Sequence, residues 1–284
     1  MKINDFGKLY IVATPIGNLQ DMSVRAIETL RSVTCIAAED TRHSLPLLQH
    51  FAINTALLAF HEHNERENTE KIVQRLQQGE SIALISDAGT PLLSDPGYFL
   101  VREAKKAGIQ VIPIPGPCAA ITALSAAGLP TDRFAFEGFL PAKSKQRIER
   151  LEKLRQETRT LIFYEAPHRI LDLIDDLLKV FGEEKLAVVA RELTKRFETI
   201  HSGTLAHLKT IISSDANQQR GEMVVLIEGM KEAEPTEEKT IAADRILTVL
   251  LETLPLKQAV EIAAKITGER KNHLYQQALR MQAK

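Results

Sequence analysis

The stretch IALISDAGTPLLSDPG, residues 82–97, decides how the rest of the chain is read. Four apolar residues, Ile82–Ile85, form a short buried strand. At Ser86 the chain turns polar, and two Asp, two Gly and two Pro follow within the next eleven positions. Gly89 tolerates backbone angles that side chains resist, while Pro91 and Pro96 fix φ and withhold N–H donors. A helix is expected to start near Pro96 and to carry Phe99, Leu100, Val101 and Ala104. The loop thus lies after a strand and before a helix, where open α/β sheets bind ligands. A rigid turn without a ligand is the plainer reading.

The same unit recurs on either side. Lys8–Ala13 reads as a strand feeding Thr14-Pro15-Ile16-Gly17-Asn18, which has neither Walker nor Rossmann glycine spacing. Asp21 or Ser23 is placed to cap a helix with Val24, Ile27 and Leu30 on its apolar face. Val33–Ala38 is a strand ending in Glu39-Asp40-Thr41-Arg42, either a functional loop or a solvated helix start. A helix over Leu45–Phe51 and a strand over Ala56–Phe60 lead to His61-Glu62-His63-Asn64-Glu65. Two His at i and i+2 do not share a helix face and no third ligand is evident, so polar contacts are expected there rather than a metal. Asn68–Gln78 is a helix stopped by Gly79. Ile109–Ile114 is a strand leading into Pro115-Gly116-Pro117-Cys118-Ala119-Ala120 and a small-residue helix through Ala127. Strand–helix alternation through residue 114 predicts an α/β sheet, mostly parallel.

The second half is patterned differently. Arg133–Glu137, Thr160–Tyr164, Leu186–Ala190, Glu198–His201 and Glu222–Glu228 read as strands, with Gly203 as a turn. Helices are expected over Asp172–Phe181 and Leu205–Ile212. These short strands leave room for antiparallel pairing. Between residues 141 and 159, seven Lys/Arg face three Glu. That is a solvated helix face or a phosphate-contacting surface. Residues 232–238 read as an acidic linker. Helices over Ala242–Leu254, Leu256–Ile266 and Arg270–Arg280 follow, with helix-turn-helix spacing. Residues 255–284 hold six Lys/Arg against two acids. Nucleic-acid contact and packing or dimerisation are both open for this module.

Composition narrows the class. The chain has 284 residues, 44% of them hydrophobic, and a formal net charge of -1, so charge does not steer the whole molecule toward nucleic acid. Its two cysteines, Cys35 and Cys118, make no disulfide framework and are expected to be reduced and buried. No apolar run reaches membrane-spanning length and no apolar signal segment opens the sequence, so a cytoplasmic protein is expected.

The blocks VATPIGNLQD (12–21), AEDTR (38–42), SDAGTPLLSDPG (86–97), PIPGP (113–117), FYEAPHR (163–169) and ARELTK (190–195) occur in this order. Together they resemble the tetrapyrrole methylase superfamily. Within it they are most similar to the branch that methylates the ribose 2'-oxygen of a cytidine in the decoding region of small-subunit ribosomal RNA. The resemblance implies two α/β domains, here 1–117 and 118–231, followed by a linker and helical module over 232–284. It also implies a homodimer and S-adenosylmethionine bound between the lobes. The implied cofactor-binding residues are Pro15, Ser86, Asp87, Ala88, Gly89, Thr90, Pro91, Ser94, Asp95, Pro117, Cys118, Ala119, Tyr164, Glu165, Ala166 and Leu193. Tetrapyrrole relatives carry Gly-Asp-Pro where this chain has Asp87–Pro91, which argues against a porphyrinoid substrate.

A ribose hydroxyl is a weak nucleophile and needs a base or polarising partner. Glu39, Asp40, Glu165, Glu192 and Lys195 are the candidates. Arg42, Lys143, Lys145, Arg147, Arg169, Arg191, Arg270 and Lys271 are the candidate RNA contacts; interdomain salt bridges are the alternative for Arg42, Arg169 and Arg191. Tyr164 either stacks on a base or seals the cleft. A ring methyltransferase of the same fold and a non-enzymatic RNA-binding protein are the competing readings.

Overall fold

The computed structural model describes residues 6–230, 237–267 and 271–282. The chain forms two compact units, Met1–Met230 and Lys231–Lys284.

The first unit contains two five-stranded sheets. One is built from β1 (Lys8–Val12), β2 (Cys35–Ala38), β3 (Ala56–Ala59), β4 (Ile82–Ile85) and β5 (Gln110–Ile114), in the order β3-β2-β4-β1-β5. Every pairing is parallel. Helices therefore cover both faces, and β2 and β4 are buried along their whole length. α1 (Val24–Ser32) starts where the Ser23 hydroxyl accepts from the Ala26 N–H at 3.1 Å. α2 (Thr41–His50) starts at Asp40, whose carboxylate accepts from the Arg42 N–H at 2.8 Å. The helix expected from Leu45 thus begins four residues earlier. α3 (Glu65–Gln77) and α4 (Tyr98–Lys106) complete this layer.

The strand order has one consequence for function. β1 lies between β4 and β5, so the loop that leaves its carboxyl end neighbours both of theirs, although it ends 73 and 102 residues before them in the chain (Val12 against Ile85 and Ile114).

The second sheet comprises β6 (Phe134–Phe139), β7 (Thr160–Glu165), β8 (Leu186–Arg191), β9 (Thr199–Thr204) and β10 (Met223–Ile227), in the order β6-β7-β10-β8-β9. β6 and β7 are parallel and the other pairs antiparallel. Gly203, expected at a turn, is instead inside β9 opposite Ala187. On one face, Phe163, Val189 and Val225 pack with α6 (Ser144–Leu154), α7 (Ile170–Phe181) and α8 (Leu205–Ser214). On the other, Ile162, Val188, Val224 and Leu226 pack with α5 (Ala119–Ala126). Ile16, from the loop after β1, joins this second cluster and makes the seam between the sheets apolar.

Among its described residues the second unit has three helices, α9 (Glu237–Leu251), α10 (Leu256–Thr267) and α11 (Lys271–Gln282). Their core is Leu247, Val260, Ala263, Leu274 and Ala278. Most of the expected acidic linker lies outside the described residues, and α9 has already begun at Glu237. Arg270 also lies outside them.

Candidate functional site

Three loops from the first sheet are laced together. The Thr14 and Gly89 backbones exchange two hydrogen bonds, of 2.9 and 3.0 Å. The Thr14 hydroxyl donates to the Ser86 carbonyl at 3.2 Å, and the Thr90 hydroxyl to the Pro117 carbonyl at 2.9 Å. Gly89 has φ +83°, and a Cβ there would stand 3.3 Å from Ile16 Cγ2. This turn is therefore open only to glycine without strain. Leu92 and Ser94 also have positive φ, +73° and +71°, which side chains rarely adopt. Glu65 anchors the end of the loop by accepting from the Gly97 and Phe99 N–H groups at 3.0 and 3.1 Å.

These loops and the second sheet enclose a cavity of about 410 Å³. Of the residues expected at a cofactor site, Asp87, Ala88, Gly89, Thr90, Ser94, Asp95, Cys118, Ala119, Tyr164, Glu165, Ala166 and Leu193 line it. Pro15, Ser86, Pro91 and Pro117 do not; the carbonyls of Ser86 and Pro117 instead hold the loops in place. Cys118, expected to be buried, is only half-buried and faces the cavity. Ile16, Leu93, Phe139, Pro167, Ala190, Glu222, Met223 and Val224 also line it and were not among the expected residues. In the sequence Met223 and Val224 carry only the apolar pattern of a core strand. Ile16 stood inside a recognised block.

The charged lining is acidic. Glu39, Asp87, Asp95, Glu165 and Glu222 face the cavity, and among the described residues no Lys, Arg or His lines it. Burial pushes the Glu39 carboxyl above its usual range, and the charges of Asp95 and Asp87 push it further. Burial raises Asp95 too, partly offset by a hydrogen bond from Ser86. Glu165 is raised chiefly by burial; the Ala166 N–H donates to its Oε1 at 2.8 Å, and Arg169 Nε lies 3.1 Å from the same oxygen. Its Oε2 is buried and has no hydrogen-bond partner. The Tyr164 phenol is pushed up to about 12, by burial first and then by the neighbouring Cys118 thiol. Its oxygen accepts from the Ala120 N–H at 3.2 Å, so it satisfies the start of α5.

Two of the five candidate bases, Glu39 and Glu165, line the cavity. Asp40 caps α2, accepts from Arg42, and donates its N–H to Asp87 Oδ1 at 3.0 Å. Lys195 donates to Glu192 Oε1 at 2.8 Å and to Glu222 Oε2 at 2.9 Å, and its stem lies across Gly17. That network ties the first loop of one sheet to the other sheet. Burial opposes ionisation of Glu192, but Lys195 and the Glu222 N–H outweigh it and hold its carboxyl below the usual range.

The expected RNA-facing cations divide. Arg42 is 89% exposed, and Lys143, Lys145 and Lys271 are exposed. Arg147 and Arg191, expected to face RNA, instead spend their charges inside the fold. Arg147 is 2% exposed and paired with Asp176 at 2.7 Å. Arg191 is 7% exposed and donates to the Thr199 hydroxyl and the Phe197 and Arg220 carbonyls. Arg169 pairs with Glu165 and donates to the Leu140 carbonyl at 2.7 Å. Among the described residues no His/Cys/Asp/Glu group has the form of a metal site. The His61 ring instead meets the Asn64 amide at 3.1 Å.

Comparison with known proteins gives these features a context. Residues 8–209 match the family model of tetrapyrrole (corrin/porphyrin) methylases, and residues 237–282 match that of the RsmI C-terminal HTH domain. The ribosomal RNA small subunit methyltransferase I of Pseudomonas aeruginosa is 60% identical over 278 residues, covering 98% of this chain and 99% of that one. The protein of that name from Escherichia coli O157:H7 is 55% identical over 281 residues, covering 98% and 97%. Among solved structures, a diphthine synthase superposes with TM-score 0.60 at 16% identity, covering 78% of this chain and 90% of that one. A uroporphyrin-III-C-methyltransferase from Thermus thermophilus superposes with TM-score 0.54 at 19% identity, covering 78% and 94%. These two establish a shared fold.

Proposed function

The chain belongs to the tetrapyrrole (corrin/porphyrin) methylase family, and from that premise we propose that it is an S-adenosylmethionine-dependent methyltransferase of small-subunit ribosomal RNA. Its target is the ribose 2'-hydroxyl of a cytidine in the decoding region. The observation that carries this reading is the likeness, over 98% of the chain, to ribosomal RNA small subunit methyltransferases.

The cavity residues fit the cofactor. Five carboxylates and no basic side chain suit a ligand that carries a sulfonium and an ammonium group. Ala190, Leu193, Met223 and Val224, all buried, form an apolar wall suited to a flat purine. Gly89 lets the backbone of the laced loops approach the ligand without a side chain between. When bound, S-adenosylmethionine supplies an electrophilic methyl group.

The protein's own work is placement, exclusion of water and handling of one proton. Glu39 is assigned to the proton of the ribose hydroxyl. It lines the cavity, its basicity is raised, and unlike Glu165 it is not fully buried beside an arginine. Exposed Arg42, Lys143, Lys145 and Lys271 are assigned to RNA phosphates. A homodimer in the cytoplasm completes the proposal; among the described residues no helix is long and apolar enough to cross a membrane.

The test uses labelled S-adenosylmethionine with small ribosomal subunits lacking the modification, and a porphyrinoid in a parallel reaction. Label in the ribose of one small-subunit cytidine is expected. Label only in the porphyrinoid refutes the proposal. Failure to bind S-adenosylhomocysteine by calorimetry would turn the assignment to a non-enzymatic RNA-binding protein.

A further inference from the structure

Phe139 is 56% exposed, yet it lines the cavity and rests edge-on against Tyr164, with ring centroids 5.7 Å apart. Its position depends on an irregularity in β6. Phe136 pairs with Ile162, but the next pairs are Gly138 with Phe163 and Phe139 with Tyr164. One residue, Glu137, is therefore extra.

In a regular strand, neighbours alternate between faces, and a shift of one residue exchanges the faces. Ala135 and Phe163 belong to the face packed on α7, whereas Phe136, Ile162 and Tyr164 belong to the face toward α5 and the cavity. Without the extra residue, Phe139 would fall on the α7 face. With it, Phe139 shares the cavity face with Tyr164, and Leu140 drops into the α7 core. Gly138, at φ +64°, makes the bulge, and a Cβ there would stand 3.1 Å from Ser94 Oγ. Ser94 itself has φ +71° in the loop after β4. The Gly138 bulge and the strained turn at Ser94 thus meet next to the exposed aromatic ring. Bulges beside active sites commonly re-aim a side chain in this way.

The fold gains little from the ring, because most of it is in solvent. The exposed large hydrophobic side chains on the cavity lining are Phe139 and Leu93, 56% and 38% exposed, whereas the wall at Ala190, Leu193, Met223 and Val224 is buried. Of the two, only Phe139 offers a flat π face to a flat group.

We infer that Phe139 is a stacking residue for the nucleobase of the nucleotide whose ribose is methylated, holding that unpaired pyrimidine at the cavity mouth. This rests on the proposed RNA substrate. Aromatic–base stacking depends on a flat π face, so a leucine of comparable bulk does not replace it.

The experiment compares Phe139→Ala, Phe139→Leu and Phe139→Trp in the full chain. Readouts are steady-state methylation of unmodified small subunits, S-adenosylhomocysteine affinity by calorimetry, Tm, and oligomeric state. Phe139→Ala is expected to lower kcat/KM for the subunit roughly five- to hundredfold, mainly through KM. Phe139→Trp should retain activity and Phe139→Leu should not. Cofactor affinity, Tm and oligomeric state should stay as in the wild type. Leucine working as well as tryptophan would overturn the stacking role. A parallel loss of S-adenosylhomocysteine affinity would make Phe139 a cofactor wall instead, and a change of oligomeric state would make it an interface residue. A wild-type protein that binds S-adenosylhomocysteine but labels no small-subunit RNA would remove the functional reading beneath the inference.

Discussion

Arg147→Met is expected to unfold the first unit more easily without weakening RNA binding. Arg147 and Asp176 are each 2% exposed. The guanidinium reaches Asp176 Oδ2 through two nitrogens, at 2.7 and 2.8 Å, and also donates to the Ala142 carbonyl at 3.3 Å. Met keeps the unbranched shape of the stem, so little cavity forms. The cost arises at Asp176, left charged in a buried site. Breaking a buried pair by removing one partner costs about 3–5 kcal/mol. The Ser144 hydroxyl and Lys179 ammonium still donate to Asp176, at 2.9 to 3.0 Å, which favours the low end, about 3 kcal/mol. For a unit of this size, each kcal/mol moves Tm by about 2–4 °C, so a fall of roughly 6–12 °C is expected. Asp176→Leu alone should cost as much, because it strands Arg147. The double variant Arg147→Met/Asp176→Leu should regain most of the loss, since an apolar pair of similar volume needs no desolvated charge. Calorimetric melting of the four proteins measures the coupling. Single variants within about 2 °C of wild type, or a double variant as unstable as the two losses added, would refute the reasoning. In the folded range the Arg147→Met subunit KM should be unchanged. Lys143→Ala and Lys145→Ala should each raise it and reduce the salt slope by about one.

Gly89→Val places a branched side chain at φ +83° against Ile16, so S-adenosylhomocysteine affinity should fall at least about tenfold while the protein stays folded, as read by titration and melting on one sample. Glu39→Gln tests the base and the linkage together. A raised carboxyl binds its proton more tightly in the folded state. Its stabilising contribution is therefore full below the ordinary value of 4.5 and is lost as pH rises through the higher folded value. The variant should melt above wild type at pH 8, with the gap closing at pH 4. Its kcat should be low, without the acid limb expected of wild type from a raised carboxyl. Deleting 231–284, a unit with its own apolar core, should leave S-adenosylhomocysteine affinity unchanged and reduce methylation of small subunits, checked by calorimetry and label transfer.

The alternation of strand and helix through residue 114, the parallel first sheet and the ordered motif blocks were legible in the sequence. Each is local: an apolar run of four or five residues, a capping residue, a glycine or proline at a turn. Most of the cavity lining from Asp87 to Asp95 and from Tyr164 to Ala166 was visible for the same reason, since these residues are contiguous. Charge was the weakest guide. Arg147 and Lys145 look alike in a basic run, but only the packing of the Arg147 stretch against α7 brings Asp176 to one of them. Glu192 and Lys195 look like reactive groups beside a strand end, yet pairing with residue 222 on β10's approach turns them into a brace.

Glu222 and Phe139 reached the site by another route. Glu222 lies about 180 residues from Glu39 and in the other sheet, and only the packing of the two sheets brings them to one cavity. Phe139 is governed by parity: a single extra residue in β6, marked in the sequence only by Gly138, reverses which face its side chain takes. Local pattern determines which segments become strands, helices and bends. Which side chains meet depends on sheet order and register, properties of paired strands that a single stretch of sequence does not contain.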